Sequence, residues 1–102
     1  MIHHLVVLKL KSSTKPAQVT RLFQELAGLQ KKVPGMLSFA GWPYSSPEGL
    51  NQGFTHGFAM TFKDGAARDV YLAHPEHEKV KQLILPTLEG GLAGVIAFDF
   101  QA

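Results

Sequence analysis

Residues 54–62 alternate between bulky and small side chains, and this alternation restricts the possible folds more than any other feature. The bulky set is Phe54, His56, Phe58, Met60 and Phe62, and the small set is Thr55, Gly57, Ala59 and Thr61. A period of two predicts a β-strand, because successive side chains of a strand point to opposite faces. One face of this strand should therefore pack against a core, while the other lets a second layer approach closely.

The first residues of the chain also predict a strand, but one that is apolar on both faces. One face carries Ile2, His4, Val6, Leu8 and Leu10, and the other carries His3, Leu5, Val7 and Lys9. Strands of this kind are typical of the centre of a sheet that is covered on both sides. We therefore expect this strand to be central.

Two helical regions separate the predicted strands. Apolar residues recur at helical spacing between residues 19 and 33, behind N-cap candidates at residues 12–14. Asp64 is predicted to cap the second region. This region is interrupted at His74-Pro75 and is shortened or kinked by Pro86, because proline cannot continue a helix in its interior.

Two further strands are predicted at residues 36–44 and 93–100, so the element order is β-α-β-β-α-β. Pro43 places the end of the first of these at a sheet edge, because proline cannot donate to a ladder. The order is that of the ferredoxin-like α+β plan, a four-stranded antiparallel sheet with helices on one face. At 102 residues, the chain (1–102) is predicted to form a single domain.

The face of the sheet without helices predicts an interface. It would carry Leu5 and Val7 beside the small Gly57 and Ala59, and contiguous exposed apolar residues usually mark an interaction site. Two copies packed sheet to sheet about a two-fold axis would bury both faces. We predict a homodimer, a dimeric α+β barrel; the alternative is a monomer with a mildly apolar open face.

Composition excludes several classes of partner. The formal charge is only +2, and Lys31-Lys32 is the one adjacent basic pair, which argues against nucleic acid. The chain lacks cysteine, which excludes disulfides and zinc–thiolate sites. Apolar runs are far shorter than the ~18 residues of a membrane span, and no signal-peptide pattern is found, so the expected location is cytoplasmic.

Histidines and a tyrosine are the candidates for a small-molecule pocket. His4 and His56 stand in the bulky rows of their strands, and Tyr71 lies on a helix that would cover them. Several titratable groups would thus converge on one apolar space, which is typical of ligand pockets. Each histidine could instead be a structural core residue. His4 and His56 both lie near the beginnings of antiparallel strands, so they could also be at opposite ends of the sheet.

The segment His74-Pro75-Glu76-His77 raises the hypothesis of a metal site, with His56 as a third ligand. Pro75 favours His74 as a helix cap instead, because proline suits the first position of a helix. No carboxylate has clear ligand spacing. We therefore predict no metal.

Four segments together resemble the stress-responsive A/B barrel (Dabb) family: residues 4–10, 53–56, 71–77 and 98–100. The resemblance spans essentially the whole chain, and Tyr-x-x-His-Pro-x-His at 71–77 is its most specific part. It implies a dimeric α+β barrel. It is strongest toward those members that are polyketide cyclases, which close a poly-β-keto chain by an aldol reaction without a cofactor.

The resemblance also implies roles for individual residues. Tyr71 and His77 would form the catalytic acid–base pair, and His4 and His56 would line the substrate pocket, with no cofactor. Phe58, which stands in the same bulky row as His56, is also predicted to bind the substrate. The function predicted is thus aldol-type cyclisation or other enolate chemistry on a keto compound. The alternative is a non-catalytic, stress-related protein, either a ligand-binding barrel or a purely structural dimer.

Overall fold

In the computed structural model, which describes all 102 residues, four antiparallel strands form one sheet. They are β1 (Ile2–Leu8), β2 (Met36–Pro43), β3 (His56–Phe62) and β4 (Val95–Gln101), in the order β2-β3-β1-β4 across the sheet. The helices are α1 (Pro16–Lys32), α2 (Gly65–Leu72) and α3 (Pro75–Ile84), and two 3₁₀ turns, Leu85–Thr87 and Gly91–Gly94, join α3 to β4. The predicted ferredoxin-like α+β fold is confirmed.

The core lies between the sheet and the helices. Each row predicted to face the helices is buried along β1 and β3, including Val6, Met60 and Phe62. The apolar stripe of α1 packs onto these rows through Leu22, Phe23, Leu26 and Leu29. Burying one such side chain stabilises the fold by about 1.5–3 kcal/mol. The bulky half of the alternation at 54–62 therefore determines which sheet face carries the helices.

β1 lies inside the sheet and β2 lies at its edge, as their sequences predict. β1 pairs with β3 on one side and with β4 on the other, both antiparallel, which confirms that it is central. β2 is an edge strand and ends at Pro43, as predicted from the missing N–H of proline.

The start of α1 differs from the prediction. The N-cap is Lys15, not a residue at 12–14, and Pro16 is the first helical residue. Proline disfavours the helical conformation of the residue before it, so Lys15 stays extended and the helix cannot begin earlier. The Lys15 amide donates to the Gln18 side-chain oxygen at 2.8 Å, which is the half of a capping box that satisfies the N-cap amide.

The two shorter helices begin at side-chain caps, as predicted. Asp64 accepts a hydrogen bond from the Ala67 amide at 2.9 Å and starts α2. His74 caps α3, because its Nδ1 accepts from the Glu76 amide at 3.1 Å. His74 is thereby fixed as a structural residue.

One sheet face carries no helix. Leu5 and Val7 of β1 are each 38% exposed there, beside Phe98 of β4, which is 62% exposed. His3 stacks on Phe100 on the same face, with ring centroids 4.8 Å apart. The chain by itself therefore leaves a continuous apolar sheet face uncovered.

The helices are short, and the longest of them ends in charged residues. α1 is the longest, with 17 residues, and ends with Lys31 and Lys32. None of the helices combines the length and the apolar character required to cross a membrane. The cytoplasmic location stays a prediction from the sequence.

Candidate active site

A cavity of about 230 Å³ lies between β1, β3 and β4 on one side and α2, α3 and the 3₁₀ turns on the other. Its wall is mostly apolar and includes Leu26 and Phe58. The wall residues that carry polar groups are Tyr71, His4, His77 and Lys81. An apolar space with a few convergent polar groups is the usual form of a ligand site.

Tyr71 is the central aromatic residue of this cavity and is 1% exposed. Its ring centroid lies 4.4 Å from that of His77, 5.1 Å from Phe62 and 5.7 Å from His4. Burial raises the pKa of Tyr71 above its ordinary value of 10.0, and the negative charge of Asp99 raises it further. The phenol is therefore neutral at physiological pH and can act as a hydrogen-bond donor.

The His77 ring has a defined tautomer. Its Nδ1 lies 3.2 Å from the Leu72 carbonyl oxygen, and because a carbonyl can only accept, Nδ1 carries the proton. Burial lowers the pKa of His77 below 6.5; the Leu72 bond opposes this, and the nearby charge of Lys81 reinforces it. At neutral pH the ring is uncharged, and Nε2 is a free base.

A series of hydrogen bonds links His4 to Asp99 on β4 and Asp99 to Arg68 on α2. Asp99 Oδ1 lies 2.6 Å from His4 Nδ1, and Asp99 Oδ2 accepts from Arg68 Nη1 at 2.7 Å. Burial alone would raise the pKa of Asp99, but the hydrogen bonds from His4 and Arg68 outweigh it and lower the pKa below 3.8. Asp99 is thus a carboxylate that orients the His4 ring, leaving Nε2 as the nitrogen available to the cavity.

Asp99 and Arg68 are functional candidates that the sequence reasoning missed. Asp99 pairs with His4 across the β1–β4 ladder, so both side chains point to the helix side. The available signal was a single acidic residue between Phe98 and Phe100. Arg68 had no local signal, because its partner lies 31 residues away in sequence.

His56 lies apart from the other candidates. The β1–β3 register pairs His56 with Leu8 but His4 with Met60. Four residues separate the two positions along β1, roughly 13 Å at ~3.3 Å per residue. His56 bonds Thr55 Oγ1 at 2.8 Å and lines a separate open cleft of about 560 Å³ with Trp42.

Of the five predicted site residues, the structure brings together four around one cavity: Tyr71, His77, His4 and Phe58. His56 is the exception, and burial lowers its pKa below 6.5 at its own location. No cluster of three or more His, Asp or Glu side chains has an arrangement that could hold a metal ion.

The fold and the cavity together define a class: ferredoxin-like α+β domains with a histidine- and tyrosine-lined pocket between sheet and helices. The chain belongs to the stress-responsive A/B barrel family, because the family model described as Stress responsive A/B Barrel Domain matches residues 2–102. The family predicted from the sequence is thus confirmed.

Three known proteins are similar to most of this chain, and they differ in whether an activity is established. Stress-response A/B barrel domain-containing protein HS1 of Arabidopsis thaliana is 29% identical over 100 residues, 98% of this chain and 88% of that protein. Olivetolic acid cyclase of Cannabis sativa is 28% identical over 76 residues, 74% of this chain and 75% of the cyclase. A solved dimeric ferredoxin-like protein of unknown function from Jannaschia sp. CCS1 is 27% identical, with a TM-score of 0.89 and coverage of 99% of this chain and 98% of that one.

Replacing Asp99 with asparagine is expected to destabilise the fold by about 1–3 kcal/mol at pH 7, because it weakens two charge-assisted hydrogen bonds. The lowered pKa of Asp99 means that its contribution is present above pH 3.8 and is lost as the pH falls below that value. Urea unfolding at pH 7 and pH 3 measures the difference. The control is Asp69→Asn, because exposed Asp69 also bonds Arg68; an equal cost for both variants at pH 7 would contradict the role of Asp99.

Proposed function

We propose that this protein binds a small keto compound in the cavity and forms its enolate by acid–base catalysis without a cofactor. The observation that carries the proposal is that a proton acceptor and a proton donor lie side by side, with the ring centroids of His77 and Tyr71 4.4 Å apart. His77 has a free Nε2 base, and Tyr71 has a neutral phenol. Acid–base pairs with separated pKa values are the usual basis of proton transfer at carbon.

The reaction follows from these two groups. His77 Nε2 takes a proton from the carbon next to the carbonyl, and the electron pair of that C–H bond moves to the carbonyl oxygen. The Tyr71 hydroxyl donates a hydrogen bond to this developing oxyanion. The enolate carbon then attacks a second carbonyl carbon of the same molecule, which closes a ring; the π pair of that carbonyl moves to its oxygen, which takes the proton from His77. Without a second carbonyl, the enolate carbon takes the proton back from His77.

His4 and Phe58 complete the proposed site. Phe58 is buried on the cavity wall and packs near His4, at 6.4 Å between ring centroids. Asp99 fixes the orientation of the His4 ring and accepts from its Nδ1, so the other nitrogen of His4 can accept a hydrogen bond from an enol or hydroxyl group of the substrate. Olivetolic acid cyclase, a relative by sequence, supports cyclisation as the type of outcome. His56 is left out of this set because it lines the other cleft.

The direct test is proton exchange at carbon. The protein is incubated in D₂O with a panel of small apolar ketones and diketones, and NMR follows the loss of the protons next to the carbonyl. We expect exchange well above the buffer rate for at least one compound. Ligands that raise the thermal unfolding temperature without any exchange would support the non-catalytic binding barrel. No binding by any compound would support the purely structural dimer.

We also propose that the uncovered sheet face forms a homodimer through Leu5, Val7, Gly57 and Ala59. Leu5 pairs with Ala59, and Val7 pairs with Gly57, so the two rows form one patch at the centre of the sheet. The partly exposed Leu5 and Val7 supply apolar area, and the small residues allow close approach. The dimeric relative from Jannaschia has the same fold at 27% identity, which supports this arrangement.

Ala59→Arg is expected to convert the dimer to a monomer, because it places a long charged side chain at the centre of this patch. Light scattering after size-exclusion chromatography measures the mass directly. Gln24→Arg is the matched control, since it adds the same charge on the exposed side of α1. A wild-type chain that is monomeric at micromolar concentration, or an Ala59→Arg variant that stays dimeric, would refute the interface.

A further inference from the structure

We infer that the ligand of the cavity carries a carboxylate, and that Lys81 binds this carboxylate at the cavity mouth. The inference rests on the proposed function, and it narrows the substrate class from keto compounds to keto acids with an apolar chain. Nothing in the acid–base pair itself requires such a group. The position of Lys81 and the charges around it support a carboxylate on the ligand.

Lys81 stands on the same helix face as His77. The two residues are four apart in α3, so their Cβ atoms are neighbours at ~5–6 Å. Lys81 lines the cavity, yet its side chain is 48% exposed. A side chain that meets both the cavity wall and the solvent marks the mouth, and the charge of Lys81 is near enough to His77 to act on its ring.

Lys81 is the only lysine, arginine, aspartate or glutamate among the residues that line the cavity. Asp99, whose charge acts on Tyr71, is not part of the wall and forms an ion pair with Arg68. The partner of Lys81 is Glu78, at 3.3 Å, which is 57% exposed and also lies outside the wall. The one ammonium at the cavity mouth is thus held only by an exposed ion pair, which contributes little stability, so a carboxylate of the ligand can replace Glu78 as its partner.

A ligand with a carboxylate at Lys81 and a short apolar chain fits the volume and the apolar inner wall of the cavity. At about 30 Å³ for each water-sized group, the cavity of about 230 Å³ holds roughly eight non-hydrogen atoms. The inner wall around Leu26, Ile84 and Leu88 is apolar and suits a short chain. A carboxylate at Lys81 would orient the ligand with its apolar chain inward, and a keto group in the γ position would then lie toward His77 and Tyr71.

The test compares a γ-keto acid of eight carbons with its methyl ester, by isothermal titration calorimetry on the wild-type protein and three variants. The wild type should bind the acid about tenfold more tightly than the ester, since one partly exposed charge-assisted bond is lost with the ester. Lys81→Met should remove this preference while leaving ester binding unchanged. Glu78→Gln should tighten acid binding, because it removes the competing carboxylate. Lys79→Met, which removes an ammonium paired with Glu76 outside the cavity, should change nothing.

The other possible results distinguish failure of the carboxylate inference from failure of the proposed function. Equal binding of acid and ester by the wild type would overturn the inference and leave the proposed keto-binding site standing. A preference for the acid that persists in Lys81→Met would also overturn the inference, since another group would then bind the carboxylate. Failure of the wild type to bind either compound, together with no exchange for any ketone, would overturn the proposed function as well.

Discussion

Tyr71→Phe is expected to lower the rate of carbon-bound proton exchange by about 10²–10³, the usual effect of removing one donor to an oxyanion. The ring stays, so its packing against Phe62 and His4 is retained. Only the hydroxyl is lost, and with it the group that stabilises negative charge on the carbonyl oxygen. Initial exchange rates in D₂O at saturating ketone give the comparison.

Tyr44→Phe is the control for this substitution. Tyr44 is the only other tyrosine, and its hydroxyl accepts from the Gly49 amide at 2.8 Å in the loop after β2, outside the cavity. Exchange by this variant should stay within about twofold of the wild type, because surface changes of this kind have small effects. Equal rates for wild type and Tyr71→Phe, with unchanged thermal stability, would remove Tyr71 from the mechanism.

His77→Gln is expected to reduce exchange by about 10²–10⁴, the range that a positioned general base contributes. The pH dependence separates a base from a structural role. Burial lowers the pKa of His77 below 6.5, so the wild-type rate should rise with pH in the acidic range and reach a plateau by neutral pH. His77→Gln should lose this limb, because glutamine does not titrate.

Stability provides a second readout for the same variant. A histidine with a lowered pKa in the folded state binds fewer protons there than in the unfolded state, so stability is full above pH 6.5 and falls as the pH decreases. Removing the imidazole should weaken the pH dependence of the unfolding free energy between pH 7 and 5. His56→Gln serves as the activity control, because His56 lines the separate cleft and should leave exchange within about twofold. A loss of exchange in His56→Gln equal to that in His77→Gln would mean that the two sites act together.

The strands, the helices and their buried faces could be predicted from the sequence because they follow from periods within single segments. The alternation at 54–62 depends only on neighbours along the chain, and it predicted both the strand and the face that meets the helices. The start of α1 was missed by a few residues, because a proline outweighed three candidate hydroxyl caps. Tyr71, His77, His4 and Phe58 could be proposed as one group because family resemblance and the helix-facing pattern agreed.

Other features were decided only by the tertiary structure, because they depend on the register and packing of segments far apart in sequence. The pairing of Leu8 with His56 separates His56 from His4, and a different register would have changed that distance. The bond from Asp99 to His4 spans 95 residues. The tautomer of His77 depends on how the end of α2 places the Leu72 carbonyl. The amino-acid sequence therefore determined which side chains could carry the chemistry, while long-range packing decided which of them meet and where their protons lie.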